Sequence, residues 1–213
     1  MDFLEPALIE YIEKHTEPEP KVLQELNRDT YANHLIPRML SGHLQGQVLN
    51  MFSKMIQPKY ILEVGTYTGY SAICLAQGLQ ANGKLISIDI NEELEETITK
   101  YIKKAGLQDK IDLMIGNATE IIPTLDYQFD MVFIDADKEN YCNYFNLCID
   151  KVKPGGYILA DNVLWSGNVI KEKENWDDET EGIVKFNELV HNDKRVEHVL
   201  FPVRDGIMVA RKL

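Results

Sequence analysis

The chain has 213 residues, 45% of them hydrophobic and 9% aromatic, with a formal net charge of -12. That length and apolar share suffice for one substantial core, while the acidity works against broad contact with nucleic acid or an anionic membrane and leaves small neutral or cationic substrates open. Cys74, Cys142 and Cys148 are odd in number and lack Cys-x-x-Cys spacing, so neither a disulfide framework nor a zinc site is indicated and free thiols in a reducing compartment are expected.

The N-terminal Met1-Asp2-Phe3-Leu4-Glu5-Pro6 has no basic region and no long apolar run. No apolar segment of about 18 residues occurs anywhere, so a cytoplasmic protein with no membrane contact is expected. Leu4, Leu8, Ile9 and Ile12, then Val48, Leu49, Phe52 and Met55, fall at helical spacing, interrupted by Glu17-Pro18-Glu19-Pro20 as a loop. Residues 1–58 are therefore read as a helical cap, over the sheet or a partner subunit, and residues 59–213 as the core of the same single domain.

The run from Tyr60 to Val64 fits a buried parallel strand, and Gly65 and Gly69 then supply a tight turn at the first amides of the next helix. A dinucleotide fingerprint would place its second glycine where Tyr67 stands, and a bulky phenol there argues against a pyrophosphate. Glu63, just ahead of the first glycine, would repel phosphates and accept hydrogen bonds from an ammonium group. Together they point to a zwitterionic, nucleoside-like ligand.

Further apolar runs follow at Lys84 to Ile90, Ile111 to Ile115, Phe129 to Ile134 and Tyr157 to Ala160, separated by stretches long enough for helices. Glu92 to Ala105 reads as a helix ending at Gly106, and Asn140 to Val152 as one stopped by Pro154-Gly155-Gly156. This rhythm predicts an open parallel sheet with right-handed crossovers. Trp165 to Gly182 reads as a long connection and potential lid. Arg195 to Val203 and Gly206 to Lys212 read as a hairpin joined at Arg204-Asp205, making one terminal strand antiparallel.

Ligands of open parallel sheets lie beyond the carboxyl ends of the strands. There the second run ends in Asp89, placed to accept from ribose hydroxyls, the fourth in Asp135, and the fifth in Asp161-Asn162. Neighbouring strands lie about 4.8 Å apart, so the last three side chains can meet one ion, and their hard oxygens suit Mg²⁺ rather than zinc. Lys138, three residues past Asp135, can reach the same rim as a general base for an acceptor hydroxyl. The five histidines lack ligand spacing, and Asp205-Gly206 reads as turn chemistry.

Three segments carry a resemblance: Leu62 to Ser71, Phe133 to Tyr141 with its Asp-Ala-Asp-Lys, and Ala160 to Gly167. They resemble the metal-dependent class I O-methyltransferases, the catechol and caffeoyl-coenzyme A family, with the bacterial branch nearest. The resemblance implies a Rossmann-like α/β fold: a mostly parallel seven-stranded sheet with an antiparallel C-terminal strand, helices on both faces and an N-terminal helical extension. It also implies S-adenosylmethionine (SAM) as methyl donor. Glu63, Gly65, Thr66 and Ser71 would hold its methionine part, Asp89 its ribose and Ala118 its adenine, with Asp135 close by. Met39, Leu40 and Ser41 would close over its sulfur end, with Leu40 against the cofactor, although His43 departs from the small residue of the plant branch. Asp135, Asp161 and Asn162 would bind the divalent cation, Lys138 would be the base, and Met39, Lys138 and Trp165 would line the acceptor pocket.

A chelating cation favours vicinal diols such as catechols and caffeoyl groups. Trp165 to Gly182 offers no clear basic site for coenzyme A phosphates. A homodimer is implied through the N-terminal helices. Two other functions stay open on sequence: methylation of a hydroxylated tRNA base, for which Lys100, Lys103 and Lys104 form only a short basic patch, and a non-catalytic cofactor-binding dimer module.

Overall fold

The computed structural model describes residues 4–213, so Met1, Asp2 and Phe3 of the N-terminal reading lie outside the described residues. Helices α1 (Pro6–Lys14), α2 (Lys21–Asn33) and α3 (Gly42–Ile56) precede β1 (Tyr60–Val64), and α4 (Tyr70–Ala76) leads to β2 (Lys84–Asp89). The chain continues through α5 (Glu95–Lys104), β3 (Ile111–Ile115), α6 (Ala118–Thr124), β4 (Phe129–Ile134), α7 (Tyr141–Ile149) and β5 (Val152–Asp161). It closes with α8 (Asp178–Asn192), β6 (Val196–Phe201) and β7 (Ile207–Lys212).

The seven strands form one sheet in the order β3-β2-β1-β4-β5-β7-β6. β7 runs antiparallel to both of its neighbours, and every other pair is parallel. Successive side chains of a strand face opposite sides of a sheet. Leu62, Val64, Ile86, Ile88, Val132 and Ile134 accordingly pack with Phe145 of α7 and Phe186 of α8. Ile61, Leu85, Met131 and Phe133 pack on the other face with Leu26 of α2, Leu49 of α3 and Ile98 of α5. Burial on both faces is why these strands read as continuous apolar runs.

Several boundaries differ from the sequence reading. β5 begins at Val152 and contains Pro154-Gly155-Gly156, because the register with β4 shifts between Phe129 and Met131 and Gly155 takes a φ of +81° there. β2 ends at Asp89, which leaves Ile90 exposed. The C-terminal strands are antiparallel partners as expected, but residues 202–206 separate them and β7 lies inside β6. The long connection after Trp165 holds two 3-10 turns and then the start of α8, capped by Asp177, whose side chain accepts from the Thr180 amide at 2.7 Å. Among the described residues no helix is long and apolar enough to cross a membrane.

Candidate active site

Val64 pairs with Ile88 and with Ile134, and Ile134 pairs with Ala160, so the residues that follow these strands converge at one edge. Gly65 begins the turn with a φ of +96°, pressed so closely on Asp135 that a β-carbon would overlap the Asp135 carbonyl oxygen. Only glycine allows both that conformation and that approach. Asp89 then ties the turn to the end of β2: its Oδ2 accepts from the amides of Thr66 at 3.0 Å and Tyr67 at 2.6 Å, and its Oδ1 from the amide of Asn91 at 2.9 Å. Tyr67 has a φ of +50°, and its phenol leaves the turn to donate to the carbonyl of Ile36 at 3.1 Å. The side chain that excluded a pyrophosphate thus braces the segment carrying Met39, Leu40 and Ser41.

Glu63 is fully buried beneath the turn. Thr66 and Ser87 hydroxyls lie 2.5 Å apart, and Ser87 donates to Glu63 Oε2, so Thr66 is the donor of the first pair. Oε1 has no partner. Burial pushes the Glu63 carboxyl up to about 7, with the hydroxyls of Ser71 and Ser87 opposing and the charges of Asp135 and Asp89 adding to the rise. Ala118 is buried at the first turn of α6, beyond the end of β3, where the Gly116 amide donates to the Asp89 carbonyl at 2.8 Å.

On the other side of Asp135 lies a second cluster. Lys138 sits in a 3-10 turn, Lys138–Asn140, and is buried, its Nζ 3.0 Å from Asp135 Oδ1 and 2.7 Å from the Tyr141 hydroxyl. Tyr141 in turn donates to the Asp161 carbonyl at 3.1 Å, and the Trp165 ring centre lies 5.7 Å from Nζ. Asp161 Oδ2 accepts from Gln45 Nε2 at 2.5 Å, while Oδ1 is buried without a partner. Burial first, and the charge of Asp135 second, raise the Asp161 carboxyl well above the usual carboxylate range. Asn162 follows with a φ of +58°. Among the described residues no three His, Cys, Asp or Glu side chains converge as a metal cluster, and the carboxylates of this cluster are Asp135 and Asp161.

Of the residues singled out from sequence, Glu63, Gly65, Thr66, Ser71 and Asp89 gather around the turn, and Asp135, Lys138, Asp161, Asn162 and Trp165 around the second cluster. Leu40 and Ser41 are buried, whereas Met39 is exposed at the end of a 3-10 turn. Asp205, read from sequence as turn chemistry, reaches instead to the loop after β5: its Oδ1 accepts from the Ser166 amide at 2.6 Å. Sequence reading passed over Ser87, Gln45, Tyr141 and Arg204. Ser87 and Gln45 had a signal, as polar residues within an apolar strand run and on the buried stripe of α3 with Leu49 and Ser53.

A sheet in this order with one reversed strand, and a glycine turn closing on a strand-end carboxylate, define a class I methyltransferase. The family model described as O-methyltransferase matches residues 13–213. A caffeoyl-CoA O-methyltransferase of Petroselinum crispum is 38% identical over 97% of this chain and 91% of its own. An O-methyltransferase of Bacillus cereus in complex with SAH superposes with a TM-score of 0.91 at 29% identity, covering 97% of each chain. One from Streptomyces achromogenes involved in tomaymycin synthesis, in complex with SAM, gives 0.90 at 27% identity, covering 97% of this chain and 96% of its own. The chain belongs to the O-methyltransferase family, within the caffeoyl-CoA O-methyltransferase group, and is a SAM-dependent O-methyltransferase.

Proposed function

We propose that the enzyme methylates small vicinal-diol phenolics, of catechol or caffeoyl type, with the help of a divalent cation. The observation that carries this reading is the pair Asp135 and Asp161 beside the buried Lys138 ammonium, with Asp161 Oδ1 left bare. A buried carboxylate oxygen without a donor calls for a cation, and the donor set of two carboxylates and an amide fits Mg²⁺. Asp135, Asp161 and Asn162 would hold it, and when bound it would supply Lewis-acid polarisation and orient two adjacent oxygens of the acceptor.

The chain's own residues do the rest. The bare Glu63 Oε1 accepts from the ammonium of the methionine part of SAM, and Asp89 Oδ1, with fewer bonds than Oδ2, takes a ribose hydroxyl. Gly65 admits the donor close to the backbone, with Thr66, Ser71, Leu40 and Ala118 completing its walls. Lys138 Nζ, after releasing its own ammonium proton to solvent and leaving Asp135, receives the proton of the acceptor hydroxyl, and the Tyr141 hydroxyl keeps the amine aimed. Trp165 covers one side of Nζ against water, with Met39 across the acceptor pocket. Because SAM already carries an activated methyl group, alignment of the acceptor oxygen is the main remaining task.

A tRNA acceptor fits less well, since Lys100 and Lys104 are committed to Asp29 and Glu25. The homodimer proposal is supported by the exposed apolar side chains Leu8 and Tyr11 on α1 and Met51 and Met55 on α3. The test is methyl transfer to a catechol, a caffeoyl ester, a matched monophenol and hydroxylated tRNA, each with Mg²⁺ and with EDTA. Transfer is expected on the diols, lost with EDTA and poor on the monophenol. Chelator-resistant transfer would remove the cation, and equal turnover of the monophenol would remove the diol.

A further inference from the structure

We propose that Gln45 is a positioning residue for Asp161, and that Arg204 acts through it. This rests on the cation-assisted reading above. Arg204 Nη1 donates to Gln45 Oε1 at 2.8 Å, and Gln45 Nε2 donates to Asp161 Oδ2 at 2.5 Å. A primary amide can be turned either way until its partners are fixed. A guanidinium only donates and a carboxylate only accepts, so this amide fits in one orientation. Gln45 is 1% exposed, in the first turn of α3, and Asp161 is 3% exposed at the end of β5. Arg204 comes from the connection between β6 and β7, where its φ is +49°, and its Nη1 also donates to the carbonyl of Ser41 just ahead of α3. Three elements distant in sequence are thereby tied at one carboxylate.

The consequence is a carboxylate with two unlike oxygens. Oδ2 is capped by a neutral donor and Oδ1 is left for a cation. Without the cap the carboxylate could rotate and present either oxygen, or turn toward Lys138, so that ordering it would fall on the cation. A neutral amide performs this without adding a third negative charge beside Asp135 and Asp161. Partners that orient metal-ligating groups typically change metal affinity or activity by 10–100-fold when removed.

The experiment is Mn²⁺ binding by electron paramagnetic resonance on the full chain, without SAM or acceptor, for wild type, Gln45→Met, Arg204→Met, the double variant and Arg204→Lys. SAM affinity is measured separately, on metal-free samples of the same proteins. Gln45→Met is expected to weaken Mn²⁺ binding roughly 10–100-fold with SAM affinity unchanged. Arg204→Met weakens it less, the double variant is no worse than Gln45→Met, and Arg204→Lys recovers part of the loss. Wild-type Mn²⁺ affinity in Gln45→Met overturns the proposal alone, and additive losses in the double variant overturn the route through Gln45. A wild-type enzyme that takes up no Mn²⁺ overturns the cation reading and this proposal with it. If Gln45→Met does not fold, Arg204→Met carries the test, and unchanged Mn²⁺ affinity there is the overturning result.

Discussion

Glu63→Gln removes one buried carboxyl while keeping its size, which makes it a clean probe of the methionine end of the site. In the folded chain, burial raises this group from 4.5 to about 7, and in the unfolded chain it returns to its ordinary value. Between those two values the folded state keeps a proton that the unfolded state has released. Stability of the unliganded protein therefore falls as pH rises through the window, levelling off above about 7. At 1.36 kcal/mol per pH unit the displacement is worth roughly 3 kcal/mol, of which about 2.5 falls between pH 5 and 8. For a chain of this size that is roughly 5–10 °C in melting temperature.

Asp161 is raised as well and adds to the same slope, so the informative quantity is the difference between wild type and variant. Asp29 is held low by Lys100 and Tyr101, and its effect lies in more acidic solution. Urea unfolding at pH 5, 6, 7 and 8 without SAM should show wild type losing stability faster than Glu63→Gln. Absolute stabilities are less informative, because the new amide can itself lack a partner at a cost of about 1–3 kcal/mol. With SAM the trend reverses: affinity should rise with pH up to about 7 in wild type and be weaker and flat in the variant. Parallel unfolding curves, or SAM affinity independent of pH in wild type, would refute the reasoning.

Lys138→Met should bind SAM normally and turn over orders of magnitude more slowly, as measured by single-turnover methyl transfer; unchanged turnover would count against the base. Gly65→Ala meets both the positive φ and the Asp135 carbonyl oxygen, so chemical denaturation should show a loss of roughly 3–5 kcal/mol. A loss below about 1 kcal/mol would mean the turn can give way. Sedimentation at micromolar concentration should show a dimer that Met51→Glu with Met55→Glu weakens, and a wild-type monomer would overturn the N-terminal interface.

Strand cores were legible because each runs through two buried faces, and the strand-end carboxylates because their polarity interrupts those runs. The limits have equally local causes. Pro154-Gly155-Gly156 carries the signal of a helix stop, which is correct for α7, but the same residues form the irregular start of β5. Nothing local distinguishes a break before a strand from a bulge within one. Ser87 lies opposite Glu63 in the register, a contact that depends on which strands are neighbours and not on spacing along the chain. Gln45 was visible as a polar residue on an apolar stripe, yet its partners lie 116 and 159 residues away. Arg204 reads as hairpin turn chemistry in sequence and becomes meaningful only because β7 is inserted between β5 and β6.

Four buried side-chain oxygens lack a partner among the described residues, two from the amides of Asn50 and Asn187 and two from the carboxylates of Glu63 and Asp161. The two carboxylates are built alike. Each ends a central strand or lies one residue short of its turn, and each has one oxygen capped by a neutral donor, Ser87 for Glu63 and Gln45 for Asp161. A charged cap would have neutralised the group and removed its demand for a ligand. A neutral cap fixes the orientation and leaves the charge unmet, so each carboxylate remains costly to ionise until a cation arrives. On the proposed reading one awaits the ammonium of SAM and the other a divalent ion, with Asp135 between them facing both. Filling either half lowers the electrostatic cost of ionising the carboxylates of the other, so the two ligands should bind more tightly together than apart, by the same factor in either order. Calorimetric titration of SAM with and without Mg²⁺ measures that factor, and a value of one would show that the halves are electrostatically independent.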